Sequence, residues 1–245
     1  MKQRLQKIIA DAGLASRREA ERWISEGRVR VNEKVVTKTG SLADASVDKI
    51  KVKGRLLPPL GKKITIAFNK PPRCLTTMVP DAKGRQTVME FLKKVPGRVF
   101  PVGRLDYHTQ GLLLFTSDGD LGKKLLDPKN KVARVYQAKV RGVPNQKALG
   151  RLQKGVRLDY KPTLPVEAEV KRTSGNNCFL ELKLMEGKNR HVKRICETIG
   201  HSVIKLKRLR FSTINLATLP LGAWRQLTPL EVKSLHASVQ AHTKT

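Results

Sequence analysis

The sequence predicts an α+β protein in two parts, a small α/β module over about residues 1–60 and a larger domain over about 64–236 with a mainly antiparallel mixed sheet. Three observations carry that reading. Apolar residues fall at helical spacing in the first 26 positions and then give way to short valine-rich alternation. The run Leu57-Pro-Pro-Leu-Gly-Lys-Lys63 then interrupts regular structure and reads as a linker, because paired prolines and a glycine suit neither a helix interior nor a central strand. Beyond it, strand-length apolar runs bounded by turn residues outnumber helical patterns.

The elements follow in order. Leu5, Ile8, Ile9 and Ala12 predict a first helix, ended by Gly13. Ser16-Arg17-Arg18-Glu19 reads as a capping box, the serine hydroxyl accepting from the Glu19 N–H and the glutamate reaching back. A second helix is expected from about Arg17 to Glu26, stopped by Gly27, with Ala20, Trp23 and Ile24 inward and Arg17, Arg18, Arg22 and Arg28 outward. Val29, Val31, Val35 and Val36 around Asn32-Glu33 predict two short strands and a tight turn, and Ile50 and Val52 a further strand. In the second part, Ile64, Ile66 and Phe68 alternate up to Asn69-Lys70-Pro71-Pro72, where the prolines force a turn. Residues 99–102 and 112–115 are apolar runs on either side of a polar loop, and Asp118-Gly119 is a turn before a short helix over 120–126. Residues 132–140 alternate around Tyr136, and 166–170 and 179–184 form an antiparallel pair around Gly175-Asn176-Asn177. Thr228-Pro229-Leu230-Glu231 opens a last helix with a capping box, and 237–245 reads as a polar C-terminal tail.

Composition narrows the partner. Lys and Arg number 50 against 20 Asp and Glu, a net charge of +30 and a pI near 10.6, which points to a polyanion. The 39% hydrophobic content supports a packed core and argues against disorder. No apolar run approaches the roughly 18 residues of a spanning helix, and Lys2, Arg4 and Lys7 interrupt any signal-peptide core, so a soluble, cytoplasmic, RNA-facing protein is expected. Cys74, Cys178 and Cys196 are scattered and odd in number, which argues against a disulfide framework or a zinc site. The histidines form no metal motif and no phosphate-binding glycine loop is present, so no metal or cofactor is expected and side chains must do any chemistry.

The loop between residues 101 and 120 holds one carboxylate, Asp106, between two apolar strands, where a fold fixes a reactive group yet leaves it open. On local sequence alone Asp106 is the first candidate for chemistry, and capping of the turn or pairing with Arg104 explains it as well. The wider pattern decides between them. Gly103-Arg104-Leu105-Asp106, Thr109, Gly111-Leu112-Leu113-Leu114 and Thr116-x-Asp118-Gly119 resemble the signature loop of the RsuA-type family of ribosomal RNA pseudouridine synthases. That resemblance implies Asp106 as the catalytic nucleophile. His108 and Gln110 stand where other polar residues are more usual, a difference that bears on substrate choice.

Two further segments resemble the same family. Residues 131–142, Lys-Val-Ala-Arg-Val-Tyr-Gln-Ala-Lys-Val-Arg-Gly, resemble its second motif, which implies that Tyr136 packs against the target base; a half-buried strand tyrosine is the plain alternative. Residues 186–194 resemble the third motif, which implies that Lys193, after Val192, pairs with Asp106. Lysine there lacks the bidentate fork of the arginine that many relatives carry. Arg104, Lys188, Arg190 and Arg194 are assigned to RNA phosphates, and Lys205, Lys207, Arg208 and Arg210 are expected to extend the basic surface. Pro72-Arg73 replaces an expected Pro-Gly.

Residues 2–55, with Ser-Arg-Arg-Glu-Ala and Gly-x-Val-x-Val-Asn, resemble the small RNA-binding domain named after ribosomal protein S-four. This implies RNA-backbone contacts by Arg17, Arg18, Arg22, Arg28 and Lys34, against the plainer reading of a solvated helix face. Together the resemblances imply a monomer acting on ribosomal RNA or a ribosomal subunit precursor, isomerising a specific uridine with an aspartate nucleophile and no cofactor. The alternative is a catalytically silent RNA-binding ribosome-assembly factor, which would be expected to lose Asp106, Tyr136 or the basic residue of the third motif. A glycosidase would need two carboxylates flanking the scissile bond, and turn positions account for Asp118 and Asp120.

Overall fold

A computed structural model of the chain describes residues 1–59 and 61–240. Of the described residues, those up to 64 with the short segments 96–98 and 117–119 form one compact unit, and the others up to 240 form a second.

In the first unit α1 (Leu5–Asp11) and α2 (Arg17–Ser25) fall where the apolar spacing predicts them. The Ser16 hydroxyl accepts from the Glu19 N–H at 3.1 Å, while the Glu19 carboxylate accepts from Arg22 at 2.5 Å. Strands β1 (Val29–Val31), β2 (Lys34–Val35), β3 (Ile50–Val52) and β4 (Arg55–Leu56) form an antiparallel sheet in the order β2-β1-β3-β4. Asn32 (φ 49°) and Glu33 (φ 65°) take the paired left-handed conformation of a two-residue hairpin turn. Leu5, Ile9, Ala20, Ile24, Val29 and Ile50 are the centre of this unit's own core.

The second unit is built on a nine-stranded sheet. Its main path uses β5 (Thr65–Lys70), β6 (Gln110–Thr116), β7 (Arg134–Arg141), β8 (Glu167–Ser174), β9 (Asn177–Leu184), β10 (Val203–Phe211) and β11 (Trp224–Gln226). The spatial order is β8-β9-β7-β10-β6-β5-β11, with Phe100–Pro101 added on β6 and Ile214–Asn215 on β10. Every pairing is antiparallel except that of β6 with β10, so the sheet is mixed as expected. All six residues of β5 are buried, where alternation alone predicts one wet face.

Four helices pack in this unit: α3 (Gly119–Leu126), α4 (Gln146–Lys154), α5 (His191–Thr198) and α6 (Pro229–Gln240). Leu149 and Leu152 of α4 and Ile195 and Cys196 of α5 share a core with Ala138, Leu180 and Leu182. Leu121 and Leu125 of α3 and Leu235 and Val239 of α6 share another with Leu112, Leu114 and Phe211. The capping box of α6 forms in both directions, Thr228 N–H to Glu231 at 2.9 Å and Glu231 N–H to the Thr228 hydroxyl at 3.2 Å. Two arms of Arg225 hold the same carboxylate at 2.6 and 2.8 Å, and the guanidinium brings its pKa down to about 2. The stretch expected as a polar tail begins inside this helix, since α6 runs through Gln240 and Val239 is buried; residues 241–245 lie outside those described. Among the described residues no helix is long and apolar enough to cross a membrane.

Helix α4 escapes sequence reading because Leu149 and Leu152 are its only large apolar residues and Gly150 sits between them, at a cost of about 1 kcal/mol relative to alanine. Gly111 has the opposite status. It lies opposite Arg208 where β6 runs parallel to β10, at φ 108°, and a Cβ there would lie 2.3 Å from the Arg208 carbonyl oxygen. Gly111→Ala is therefore expected to cost more than about 3 kcal/mol, combining a backbone clash with a disfavoured dihedral. Gly150→Ala, with open space around it, is expected to stabilise by up to about 1 kcal/mol. Urea midpoints moving in opposite directions with unchanged m values check both.

Candidate active site

The strand period of two places Arg134 and Tyr136 on one face of β7. Leu184 and Leu182 of β9 lie opposite them, and on the other side Arg134 pairs with Phe211 and Tyr136 with Arg208 of β10. This patch is one wall of a cavity of about 130 Å³. The loop at 102–106 and the turn at 186–192 line the rest, so that Arg104, Asp106, Tyr136, Lys188 and Arg190 all face the same space.

Asp106 sits in the loop leading into β6. Buried polar ties hold that loop. The Thr76 hydroxyl donates to the Leu105 carbonyl at 2.9 Å, the Thr109 N–H to the Asp106 carbonyl at 3.0 Å, and the Cys74 N–H to the Tyr107 carbonyl at 3.3 Å. Lys70, wholly buried at the end of β5, donates to the carbonyls of Pro71 and Thr109, each at 2.9 Å. Burial lowers the Lys70 ammonium to about 8, with the nearby Asp106 carboxylate among the charges that oppose the shift. The backbone that carries Asp106 is thus fixed from below while its carboxylate stays partly open.

Lys193 stands in the first turn of α5 and brings its Nζ to 4.0 Å from Asp106 Oδ2. Buried Val192 packs into the core beside it, so the helix presents Lys193 at a set position. Arg190, immediately before α5, has a left-handed backbone (φ 48°) and an exposed side chain. Lys188 donates to the Pro162 carbonyl at 3.2 Å and lies 3.4 Å from Glu186. Arg194 turns to Asp159, at 2.5 Å. Arg104 is exposed at the cavity.

In the first unit, Arg17, Arg18, Arg22, Arg28 and Lys34 are all exposed. Arg22 lies 2.5 Å from Glu19 and Arg28 lies 2.8 Å from Glu26, which leaves Arg17, Arg18 and Lys34 without an ion pair among the described residues.

One expectation is corrected. Arg208, assigned from sequence to the basic surface, is 2% exposed and points inward beside Tyr136. Lys70, Thr76 and Arg134 contribute to the site without having been singled out from sequence. The nearest signal was Lys70 at the end of an apolar run and just before Pro71, a position where a charged residue has no water to face. Arg73, standing where a glycine was expected, takes φ 57°, so the loop keeps the left-handed turn that glycine would supply. Asp118 is buried and lies 2.8 Å from Lys63, which accounts for it structurally.

A tethered carboxylate beside an ammonium, facing a base-sized cavity with a tyrosine wall and a cationic rim, suits rearrangement within a nucleotide. Residues 64–198 match the RNA pseudouridylate synthase family and residues 3–47 match the S4 domain. The chain belongs to the RNA pseudouridylate synthase family. It is 45% identical to ribosomal large subunit pseudouridine synthase B of Bacillus subtilis (strain 168) over 241 residues, covering 96% of each chain. It is 41% identical to an uncharacterized RNA pseudouridine synthase of Aquifex aeolicus (strain VF5), covering 98% of this chain and 96% of that one. A crystal structure of a pseudouridylate synthase superposes with a TM-score of 0.68 at 26% identity, covering 95% of this chain and 99% of the other.

Proposed function

We propose that this enzyme converts a uridine of large-subunit ribosomal RNA to pseudouridine, with Asp106 as nucleophile and no cofactor, acting as a cytoplasmic monomer. The observation that carries the reading is the Asp106 carboxylate 4.0 Å from the Lys193 ammonium, at a cavity walled by Tyr136. The likeness to the Bacillus synthase over nearly the whole chain supports the choice of ribosomal subunit.

The reaction breaks the bond from uracil nitrogen-1 to the ribose, turns the ring, and rejoins it through carbon-5. The carbon-5 proton leaves and nitrogen-1 gains one, so no atom or electron is exchanged with a cofactor. Asp106 adds to the ribose anomeric carbon, displacing nitrogen-1, and leaves again as carbon-5 bonds to the ribose, or it adds to the uracil ring and is expelled once the rejoined ring is restored; Tyr136 offers a flat face for the base, worth roughly 1–3 kcal/mol in stacking. The uridine must leave its helical stack to reach the cavity, at a cost of a few kcal/mol, which favours unpaired segments. Arg104, Lys188 and Arg190 at the rim suit the flanking phosphates, and Arg194 extends that basic edge.

Pseudouridine mapping of ribosomal RNA from a strain lacking the gene tests this reading. One large-subunit position should lose its pseudouridine and regain it with the wild-type gene but not with Asp106→Asn. Loss of a small-subunit position instead would overturn the substrate, and an unchanged map would overturn the activity.

The first unit is assigned to docking. Replacing Arg17 and Arg18 together by glutamine should weaken binding to the ribosomal RNA substrate and reduce the salt slope by about two, since each phosphate contact contributes nearly one. A slope equal to that of the wild type, measured by filter binding across a salt series, would remove this face from the RNA interface.

A further inference from the structure

Two arginines lie beneath the cavity without a carboxylate. Arg208 is 2% exposed; its Nε donates to the Leu112 carbonyl at 2.6 Å, and its Nη2 has no hydrogen-bond partner. Arg134 is 9% exposed and donates through Nη1 to the Val132 carbonyl at 3.0 Å. Both guanidinium groups rest near the Phe211 ring, at 5.0 Å and 5.3 Å from its centroid. Burial lowers the Arg134 pKa; the neighbouring Tyr136 opposes that shift and the Arg208 charge adds to it, since the two cations repel each other across the same floor. Neither forms an ion pair among the described residues.

A buried charge without a partner is costly unless a counter-charge arrives. Here two such charges line a cavity meant for a base. Arg208 also stands directly across the strand pair from Tyr136, on the same face, the separation at which cross-strand side chains touch a common neighbour. Uracil is neutral on arrival. Its ring becomes anionic when the bond to the ribose breaks and both electrons stay with nitrogen-1, spreading over the two carbonyl oxygens. Addition of a carboxylate to the ring instead would also push an electron pair onto a carbonyl oxygen. Either route therefore makes a transient anion in the same place.

We infer that Arg208, with Arg134 beside it, stabilises the negative charge that develops on the uracil ring during the rearrangement. Arg208 is an electrophilic group for the base and not a phosphate anchor. The exposed cations Arg104 and Arg190 can follow a flexible RNA backbone, whereas a guanidinium packed on Phe211 and tied to Leu112 cannot. Donors fixed in a water-poor site toward charge that appears only in the transition state accelerate the chemical step without tightening substrate binding. The electron balance is closed: the pair that uracil receives on cleavage returns to the ribose from carbon-5, and the ring is neutral once the carbon-5 proton is lost and nitrogen-1 is protonated. This inference rests on the pseudouridine reading of the site.

The test uses the full-length enzyme and a ribosomal RNA fragment carrying either uridine or 5-fluorouridine at the target position. Fluorine withdraws electrons and stabilises the ring anion without help from the protein. Conversion is read under single-turnover conditions, at saturating enzyme, as loss of the N-linked nucleoside after digestion. Arg208→Gln and Arg208→Lys should lower the rate on uridine about 10²- to 10³-fold, with RNA affinity within about twofold of wild type. On 5-fluorouridine the deficit should shrink at least about tenfold, because the substrate supplies part of the missing stabilisation. Arg134→Lys should show a smaller deficit with the same dependence, and it carries the test if the Arg208 variants fail to fold. An equal deficit on both substrates would overturn the inference and leave Arg208 a packing residue. A loss confined to affinity, with a shallower salt dependence, would overturn it in favour of a phosphate contact. If wild-type enzyme converts neither substrate, the failure belongs to the pseudouridine reading itself.

Discussion

Asp106→Asn will abolish pseudouridine formation, lowering the single-turnover rate by at least about 10³-fold while affinity for the ribosomal RNA substrate stays within about twofold. The amide keeps the size and polarity of the carboxylate but has neither its charge nor its nucleophilic oxygen. Nothing that braces the loop is lost, because the Thr76, Lys70 and Thr109 hydrogen bonds at this segment run to or from backbone groups and not to the Asp106 carboxylate. The variant should therefore melt with the wild type. Release of tritium from uridine labelled at carbon-5 follows the reaction directly, since that hydrogen is the one expelled. Turnover near the wild-type rate in Asp106→Asn would remove the nucleophile from this loop.

Removing the neighbouring charge should be nearly as damaging. The 4.0 Å contact between Lys193 and Asp106 is partly exposed in the free enzyme, and such a pair is worth at most about 1 kcal/mol of stability in water. On the proposed reading its effect should grow once a base displaces water from the cavity, because the same two charges would then interact in a medium of lower dielectric. Lys193→Met retains most of the stem, so the fold should hold while turnover falls about 10²-fold or more and affinity changes little. Lys193→Arg should keep substantial activity, since guanidinium supplies the charge and adds a planar fork. Arg190→Met should do the reverse of Lys193→Met, weakening RNA binding and sparing the rate at saturating RNA. If Lys193→Met lowered only affinity and Arg190→Met abolished turnover, the orienting role would pass to Arg190.

The amino-acid sequence by itself determined the features that depend on near neighbours. The helix of Leu5, Ile8 and Ile9, the Asn32-Glu33 turn, the Thr228 to Glu231 capping box and the hairpin around Gly175 all follow from residues a few positions apart, and the structure has each of them. The ordered pattern around Asp106, and the basic residue in the third motif, were likewise legible, because each motif lies in a run of near-consecutive residues. Tertiary structure decided what depends on distant partners. It inserted β10 between β7 and β6, making the one parallel pairing and fixing Gly111 against Arg208, a contact between segments 97 positions apart that no local period announces. It also decided which cations are surface and which are interior. Charged residues are almost never fully buried, so Arg208 reads as surface in a chain with 50 basic residues, and nothing local marks Lys70 as interior. Both are interior because their charged ends turn in to backbone carbonyls around the Asp106 loop, Lys70 to Thr109 and Arg208 to Leu112.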